Sequence, residues 1–173
     1  MQGKGTGADA MTVEAPLELH RETVRPEWID YNGHMNVAFY VLAFDHASDA
    51  FLDYIGLDEA HRRATGGSTF VVETHVTYQR EMHEGDSMRF ATQLLDYDAK
   101  RLRFIHHMYH ADEGYLAATS EWLGLYVDLN SRKVAEMPAG VQARLAEIHA
   151  AHSALDTPAE AGRAIALKPR SAG

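Results

Sequence analysis

The chain has 173 residues, 46% of them hydrophobic, which is the size and composition of a single globular domain. Its formal net charge of −9 argues against a nucleic-acid-binding protein, and no apolar run approaches the roughly 20 residues of a membrane helix. The absence of cysteine excludes disulfides, thiolate metal ligands and a cysteine nucleophile. Residues 1–10 are polar and Gly-rich, unlike a signal peptide, so we expect a cytoplasmic protein.

The first half of the chain predicts one strand, one polar loop and one long helix. Residues 1–14 are expected to be flexible, 17–24 to form the strand and 27–34 the loop, in which Asn32-Gly33 is a turn signal. The helix is predicted to begin after Asn36 as N-cap and to end before Gly56. Its apolar side has helical spacing, and its polar side repeats an aspartate every four residues. The apolar side comprises Val37, Val41, Phe44, Ser48, Phe51 and Ile55, with Tyr40, Ala47 and Tyr54 beside them; the polar side comprises Asp45, Asp49 and Asp53.

The second half of the chain changes to the alternating pattern of strands. Short turns separate four such segments, and this predicts an antiparallel meander. The strands are expected at residues 70–78, 88–97, 102–110 and 115–128, and the first is expected to present Phe70, Val72, Thr74, Val76 and Tyr78 on one face. Pro138 is expected to start a last helix that runs to about residue 152, and residues 153–173 are expected to form a tail.

The order of these elements indicates an α+β fold. A single long helix buries its apolar side only if the sheet curls around it. We therefore predict a hotdog fold, an antiparallel β-sheet wrapped around one long central helix, over residues 15–152.

The loop from Arg25 to Asn36 contains the residues best suited to chemistry. It places a carboxylate at Asp30, an imidazole at His34 and an amide at Asn36 directly before a helix N-terminus. Exposed N–H groups there can stabilise an oxyanion, and a nearby carboxylate can attack a carbonyl or activate water. The alternative is that Asp30 and Asn32 only cap a turn and His34 is a surface residue.

This loop resembles the active-site loop of the 4-hydroxybenzoyl-CoA thioesterase superfamily of hotdog proteins. The match consists of Asp30-x-x-Gly33-His34-Met35-Asn36 and continues at residues 72–86, 127–128 and 133–138, so that it covers about residues 17–152. The resemblance implies an acyl-CoA thioesterase that releases a free acid and CoA. It implies no cofactor beyond the CoA of the substrate, no nucleic-acid or membrane partner, and a homodimer or a dimer of dimers.

The resemblance also assigns roles within the loop. It makes Asp30 the catalytic carboxylate, as general base or nucleophile, and places Gly33, His34 and Asn36 in the active-site loop and helix start. His34 and Asn36 are expected to take part in catalysis by shaping the loop and contacting the thioester or the water. The N–H groups near Asn36 and Val37 are the expected oxyanion hole. Many relatives have a second Asn where this chain has Val37, so the contribution of that amide is absent or supplied otherwise here.

Residues 25–57 resemble, more narrowly, the betainyl-CoA thioesterases of carnitine breakdown. A trimethylammonium acyl group is bound well by aromatic faces through cation–π attraction. The aromatic residues available for this are Trp28, Tyr31, Tyr40 and Trp122. The alternative for Tyr40 and Trp122 is an ordinary place in the hydrophobic core.

Two further sets of ionisable residues lie on predicted strands. Glu73 and His75 are two residues apart and share a face. Glu73 is therefore a catalytic candidate that could act across a dimer interface, and the alternative is that this face is solvated. Three histidines, His106, His107 and His110, have poor spacing for a metal on a strand, and no metal site is expected.

Two other functions are compatible with these residues. One is a hydratase or dehydratase that acts on acyl thioesters, for which hydration of an enoyl-CoA would exceed thiol release. The other is an acyl-CoA-binding module without catalysis, which would bind CoA esters without turnover.

Overall fold

The computed structural model describes residues 13–167 and confirms the predicted hotdog fold. An antiparallel sheet curls around one long helix, α1. The elements are β1 (Leu17–Thr23), a 3-10 turn (Pro26–Trp28), α1 (Val37–Tyr54), α2 (Glu59–Thr65), β2 (Gly67–Tyr78), β3 (Ser87–Tyr97), β4 (Arg101–His110), β5 (Leu116–Asp128), β6 (Lys133–Val134) and α3 (Ala139–His152). The expected flexible segment, residues 1–14, lies almost entirely outside the described residues.

The sheet order corrects the predicted four-strand meander. The strands lie in the order β1-β3-β4-β5-β2, and β6 pairs with β5. Of the four predicted strands, β3, β4 and β5 form a meander, whereas β2 pairs with β5 at the far edge. The link of residues 79–86 makes this possible: its eight residues reach about 26 Å when extended, whereas three strand spacings are about 14 Å.

A bulge in β2 changes which of its residues share a face. The register with β5 shifts across Val72, and one extra residue reverses the alternation of side chains from that point. Thr74 is paired with Trp122, a core residue, and so lies on the inner face. Phe70 is on the outer face, so the predicted continuous face from 70 to 78 is wrong. The same change leaves Glu73 on the outer face, turned away from α1.

Helix α1 lies inside the curl of the sheet. Its buried side is formed by Tyr40, Ala43, Phe44, Ala47, Ser48 and Phe51. The predicted aspartate stripe is exposed, and Asn36 is confirmed as N-cap, since its side chain accepts from the N–H of Ala38 at 2.9 Å. Val37 differs from the prediction, because it is 59% exposed at the first helical position rather than buried in the apolar side.

The buried His106 is part of the core. Its Nε2 lies 2.9 Å from the hydroxyl of Ser48 on α1, and its Nδ1 lies 2.8 Å from the hydroxyl of Thr92 on β3. Burial lowers the pKa of His106 to about 3, so the ring is neutral at physiological pH. This histidine therefore links the helix to the sheet as a hydrogen-bonded core residue.

The C-terminal part of the described chain covers the sheet. Helix α3 packs on β3, where His152 Nδ1 accepts from the N–H of Leu94 at 2.9 Å. Residues 156–167 contain no helix or strand, and Gly162 donates its N–H to Glu121 at 2.6 Å. Between residues 13 and 167, every helix is too short or too polar to cross a membrane.

Candidate functional site

The loop before α1 is a tight hairpin. Ile29 and Met35 form an isolated antiparallel bridge, and inside it the N–H of Asp30 donates to the carbonyl of His34 at 3.1 Å. The turn closes where Gly33 donates its N–H to the carbonyl of Asp30 at 3.0 Å. Gly33 has φ +85°, a conformation that favours glycine. The hairpin thus sets Asp30 opposite His34, next to the start of α1.

The half-buried carboxylate of Asp30 has one oxygen engaged. Its Oδ1 accepts from the N–H of Asn32 at 2.7 Å. Within residues 13–167, no other hydrogen bond to this carboxylate is present, so Oδ2 is available to a substrate or a water. Capping of the turn and catalysis, the two interpretations of Asp30, are therefore compatible.

The first turn of α1 offers one N–H group. The N–H of Ala38 is used by the N-cap side chain, and that of Phe39 donates to the carbonyl of Asn36 at 3.0 Å. The N–H of Val37 has no hydrogen-bond acceptor in the described part of the chain. It stands at the positive end of an 18-residue helix, where an anionic oxygen is favoured. The backbone of Val37 is thus the donor best placed to receive an oxyanion.

A groove of about 180 Å³ opens beside this N-terminus. It brings together three of the predicted site residues, His34, Val37 and Tyr40. It also contains residues that the sequence did not indicate, from the end of β2 and the link that follows. The full lining is His34, Met35, Val37, Tyr40, Tyr78, Gln79, Arg80 and Glu81.

Glu81 supplies negative charge to this groove. Its Oε1 lies 3.7 Å from Nε2 of His34, and its side chain is 65% exposed. The neighbouring Arg80 holds its guanidinium 3.7 Å from the ring centre of Tyr115. The lining of the groove thus contains one guanidinium, which faces the ring of Tyr115, and one carboxylate, that of Glu81.

Two tyrosines form the aromatic wall of the groove. The ring of the half-exposed Tyr78 lies edge-on to that of Tyr40, with centroids 5.3 Å apart. The hydroxyl of Tyr40 accepts from the N–H of Met82 at 3.0 Å. Burial raises the pKa of Tyr40 to about 12, so it is a protonated, positioning side chain and not a base.

The four aromatic residues suggested for a cation cage do not come together. Trp28 is 2% exposed and stacks on Phe39 with centroids 5.5 Å apart. The guanidinium of Arg25 lies 5.1 Å from the ring centre of Trp28. Tyr31 is 97% exposed, while Trp122 is buried in the core. Of the suggested four, only Tyr40 lines the groove.

Glu73 lies apart from the loop within one chain. It precedes Tyr78 by five residues, about 17 Å along a strand, and lies on the outer face. There it lines a separate surface depression with His75, Arg103 and Glu121. The catalytic role of Glu73 therefore stays a prediction that the geometry of a single chain does not favour.

Comparisons with known sequences identify the family of this chain. Residues 24–145 match the family model described as the thioesterase-like superfamily. A betainyl-CoA thioesterase of Pseudomonas aeruginosa is 41% identical over 153 residues, which are 88% of this chain and 96% of that protein. An L-carnitine dehydrogenase/betainyl-CoA thioesterase of Rhizobium meliloti is 37% identical over 95% of this chain, which corresponds to 33% of that longer protein.

Solved structures show the same fold. A Staphylococcus aureus protein determined in complex with CoA has a TM-score of 0.83 and 27% identity, and the match covers 90% of this chain and 99% of that one. A 1,4-dihydroxy-2-naphthoyl-CoA thioesterase from Synechocystis has a TM-score of 0.64 and 18% identity, over 80% and 97% of the two chains. The second likeness shows the fold alone.

Proposed function

This chain belongs to the thioesterase-like superfamily, and from that premise we propose that it hydrolyses a small, cationic acyl-CoA, with betainyl-CoA as the first candidate. The protein is a thioester hydrolase. The observation that supports the site is one short hairpin that carries the Asp30 carboxylate at its start and leads into α1, where the N–H of Val37 has no acceptor within residues 13–167.

The proposed chemistry uses these two groups. The thioester oxygen accepts from the N–H of Val37, which stabilises negative charge on the tetrahedral intermediate. Asp30 then acts in one of two ways: it takes a proton from the attacking water, or it attacks the carbonyl carbon itself to form an anhydride that water cleaves. Either route breaks the C–S bond, protonates the CoA thiolate and yields the free acid. Neither needs a cofactor beyond the CoA of the substrate.

The groove supports a small, positively charged acyl group. Its volume of about 180 Å³ is smaller than the range of roughly 300–1,000 Å³ that is usual for ligand pockets. The ring of Tyr78 offers an aromatic face and Glu81 a carboxylate, and both attract a trimethylammonium group. The names of the related betainyl-CoA thioesterases agree with this choice.

A thiol-release screen over short, aromatic and cationic acyl-CoAs tests the proposed substrate. We expect the highest kcat/KM with betainyl-CoA and a clearly lower value with its neutral tert-butylacetyl analogue, which has nearly the same shape without the charge. Equal values for this pair would exclude recognition of the cation. Faster turnover of an aromatic acyl-CoA would replace the proposed substrate class.

Glu81→Gln should reduce the preference for betainyl-CoA over its neutral analogue. The amide retains the shape but loses the charge, so KM for betainyl-CoA should rise about two- to fivefold, the range of about 0.5–1 kcal/mol of an exposed ion pair. KM for the neutral analogue should not change. Glu84→Gln, at a neighbouring exposed glutamate outside the groove, is the matched control. If both variants keep the native ratio of the two substrates, Glu81 does not recognise the acyl group.

We also propose that the chain is at least a homodimer, joined through β2. Within residues 13–167, this strand of 12 residues has a neighbour, β5, on one side only. Its apolar side chains Phe70, Val71 and Val72 are 40–53% exposed. A long exposed apolar edge favours pairing with another strand, and the same edge of a second copy is self-complementary.

We also propose that the protein is located in the cytoplasm.

Light scattering on the purified chain is expected to give about 39 kDa or a multiple, against 19.3 kDa for one chain. Val72→Lys should shift the protein towards monomer, because a charge at the bulge of an edge strand opposes pairing. Val72→Thr, which retains the branched shape, should stay dimeric. A native protein that is monomeric at micromolar concentration would refute assembly through β2.

A further inference from the structure

A second set of ionisable side chains meets where β1 lies against α1, away from the groove. His20 and Glu22 are two residues apart on β1, so they share a face, and His46 approaches them from α1. Glu22 Oε2 lies 2.8 Å from Nδ1 of His46 and 3.4 Å from Nε2 of His20. One donor atom from each of the three residues falls within 4.8 Å of the others.

We propose that His20, Glu22 and His46 bind a divalent transition-metal ion of the Zn²⁺ type. Two imidazoles and one carboxylate are a donor set that zinc accepts, with water in the fourth position. Tetrahedral ligands about 2.1 Å from zinc are about 3.4 Å apart, so the observed separations need only small side-chain movements. The side chains of His20, Glu22 and His46 are 24%, 11% and 33% exposed, so a water molecule can reach a bound ion from the solvent.

The surroundings of the cluster prepare Glu22 as a ligand. Arg25 donates to Oε1 of Glu22 at 3.1 Å, which turns Oε2 towards the histidines. In metal sites a ligating carboxylate is typically held in place by a hydrogen bond from a neighbouring side chain. The exposed Asp45, next to His46 in sequence, adds negative charge that attracts a cation.

The site connects to the catalytic hairpin through one side chain. Arg25 contacts Glu22 and also lies over Trp28, which precedes the hairpin of Asp30 by two residues. A bound ion would tie β1 to α1 and hold the start of this loop. Its role is therefore structural, and hydrolysis proceeds without a step at the ion.

Zinc binding to tag-free, EDTA-treated full-length protein tests this site. Isothermal titration with Zn²⁺ should show one ion per chain, and added Zn²⁺ should raise Tm because it binds the folded state. His20→Gln and His46→Gln should each weaken Zn²⁺ binding by about 100-fold or more and abolish the Tm shift. Loss of a residue that only hydrogen-bonds to a metal ligand already lowers metal affinity by about 10- to 100-fold, and loss of the ligand itself should cost at least as much. Circular dichroism of each variant establishes that it folds.

His83→Gln is the matched control, because His83 also lies near a carboxylate, 3.6 Å from Asp86, but outside the cluster. It should bind Zn²⁺ like the native chain. The proposal is refuted if the native protein binds no Zn²⁺. It is also refuted if His20→Gln and His46→Gln bind Zn²⁺ as tightly as His83→Gln and the native chain do. Thiol release by the metal-free protein, measured separately, distinguishes a failure of this site from a failure of the proposed hydrolysis.

Discussion

Asp30→Asn is expected to lower kcat by about 100-fold or more while the protein remains folded, because an amide neither takes a proton from water nor attacks a thioester. The substitution is nearly isosteric. The new side-chain oxygen can still accept from the N–H of Asn32, the bond that shapes the turn. The hairpin should therefore persist, and thiol release in a single turnover at saturating enzyme measures acyl transfer without product release.

The control for Asp30→Asn is the same change at Asp45, an exposed residue of the aspartate stripe on α1. Asp45→Asn should retain native kcat and Tm. If Asp30→Asn also keeps a kcat close to native, the catalytic carboxylate lies elsewhere. If instead it loses activity together with a large drop in Tm, the hairpin has been disturbed, and Asp30→Ser or Asp30→Glu must separate shape from chemistry.

Val37→Pro is expected to lower kcat by about 100- to 1000-fold, the usual effect of losing one oxyanion-hole donor. Proline removes the N–H and little else at this position. It is well tolerated as the first residue of a helix, and the preceding Asn36 already has φ −67° and ψ 144°, the extended conformation that a following proline requires. Because the Val37 N–H has no acceptor within the described residues, its removal should leave Tm nearly unchanged.

Val37→Ala is the matched control, since it shortens the exposed side chain but keeps the N–H. It should retain a kcat within a few-fold of native. Full activity of Val37→Pro would show that the thioester oxygen is bound by another donor. Equal losses in both variants would assign the effect to the side chain in the groove rather than to the backbone.

The sequence alone determined the features that depend on a few neighbouring residues. The turn at Asn32-Gly33, the N-cap at Asn36 and the length of α1 follow from backbone preferences and side-chain spacing. The catalytic role of Asp30 was instead implied by the resemblance of Asp30-x-x-Gly33-His34-Met35-Asn36 to the active-site loop of the thioesterase family. These features are local, so they are readable before the partners of each element are known.

Only the tertiary structure decided how distant segments combine. The strand that β2 joins and the position of its bulge depend on how the sheet closes around α1. That closure costs the entropy of ordering the connecting loops and is stabilised by burial of apolar surface along the whole chain. That closure places Tyr78 and Glu81 against the hairpin and His46 against β1. It also buries Trp28, which the sequence suggested as a residue that binds the trimethylammonium group. Residues more than 20 positions apart carry no mutual signal in one sequence, because their contact is set by long-range packing.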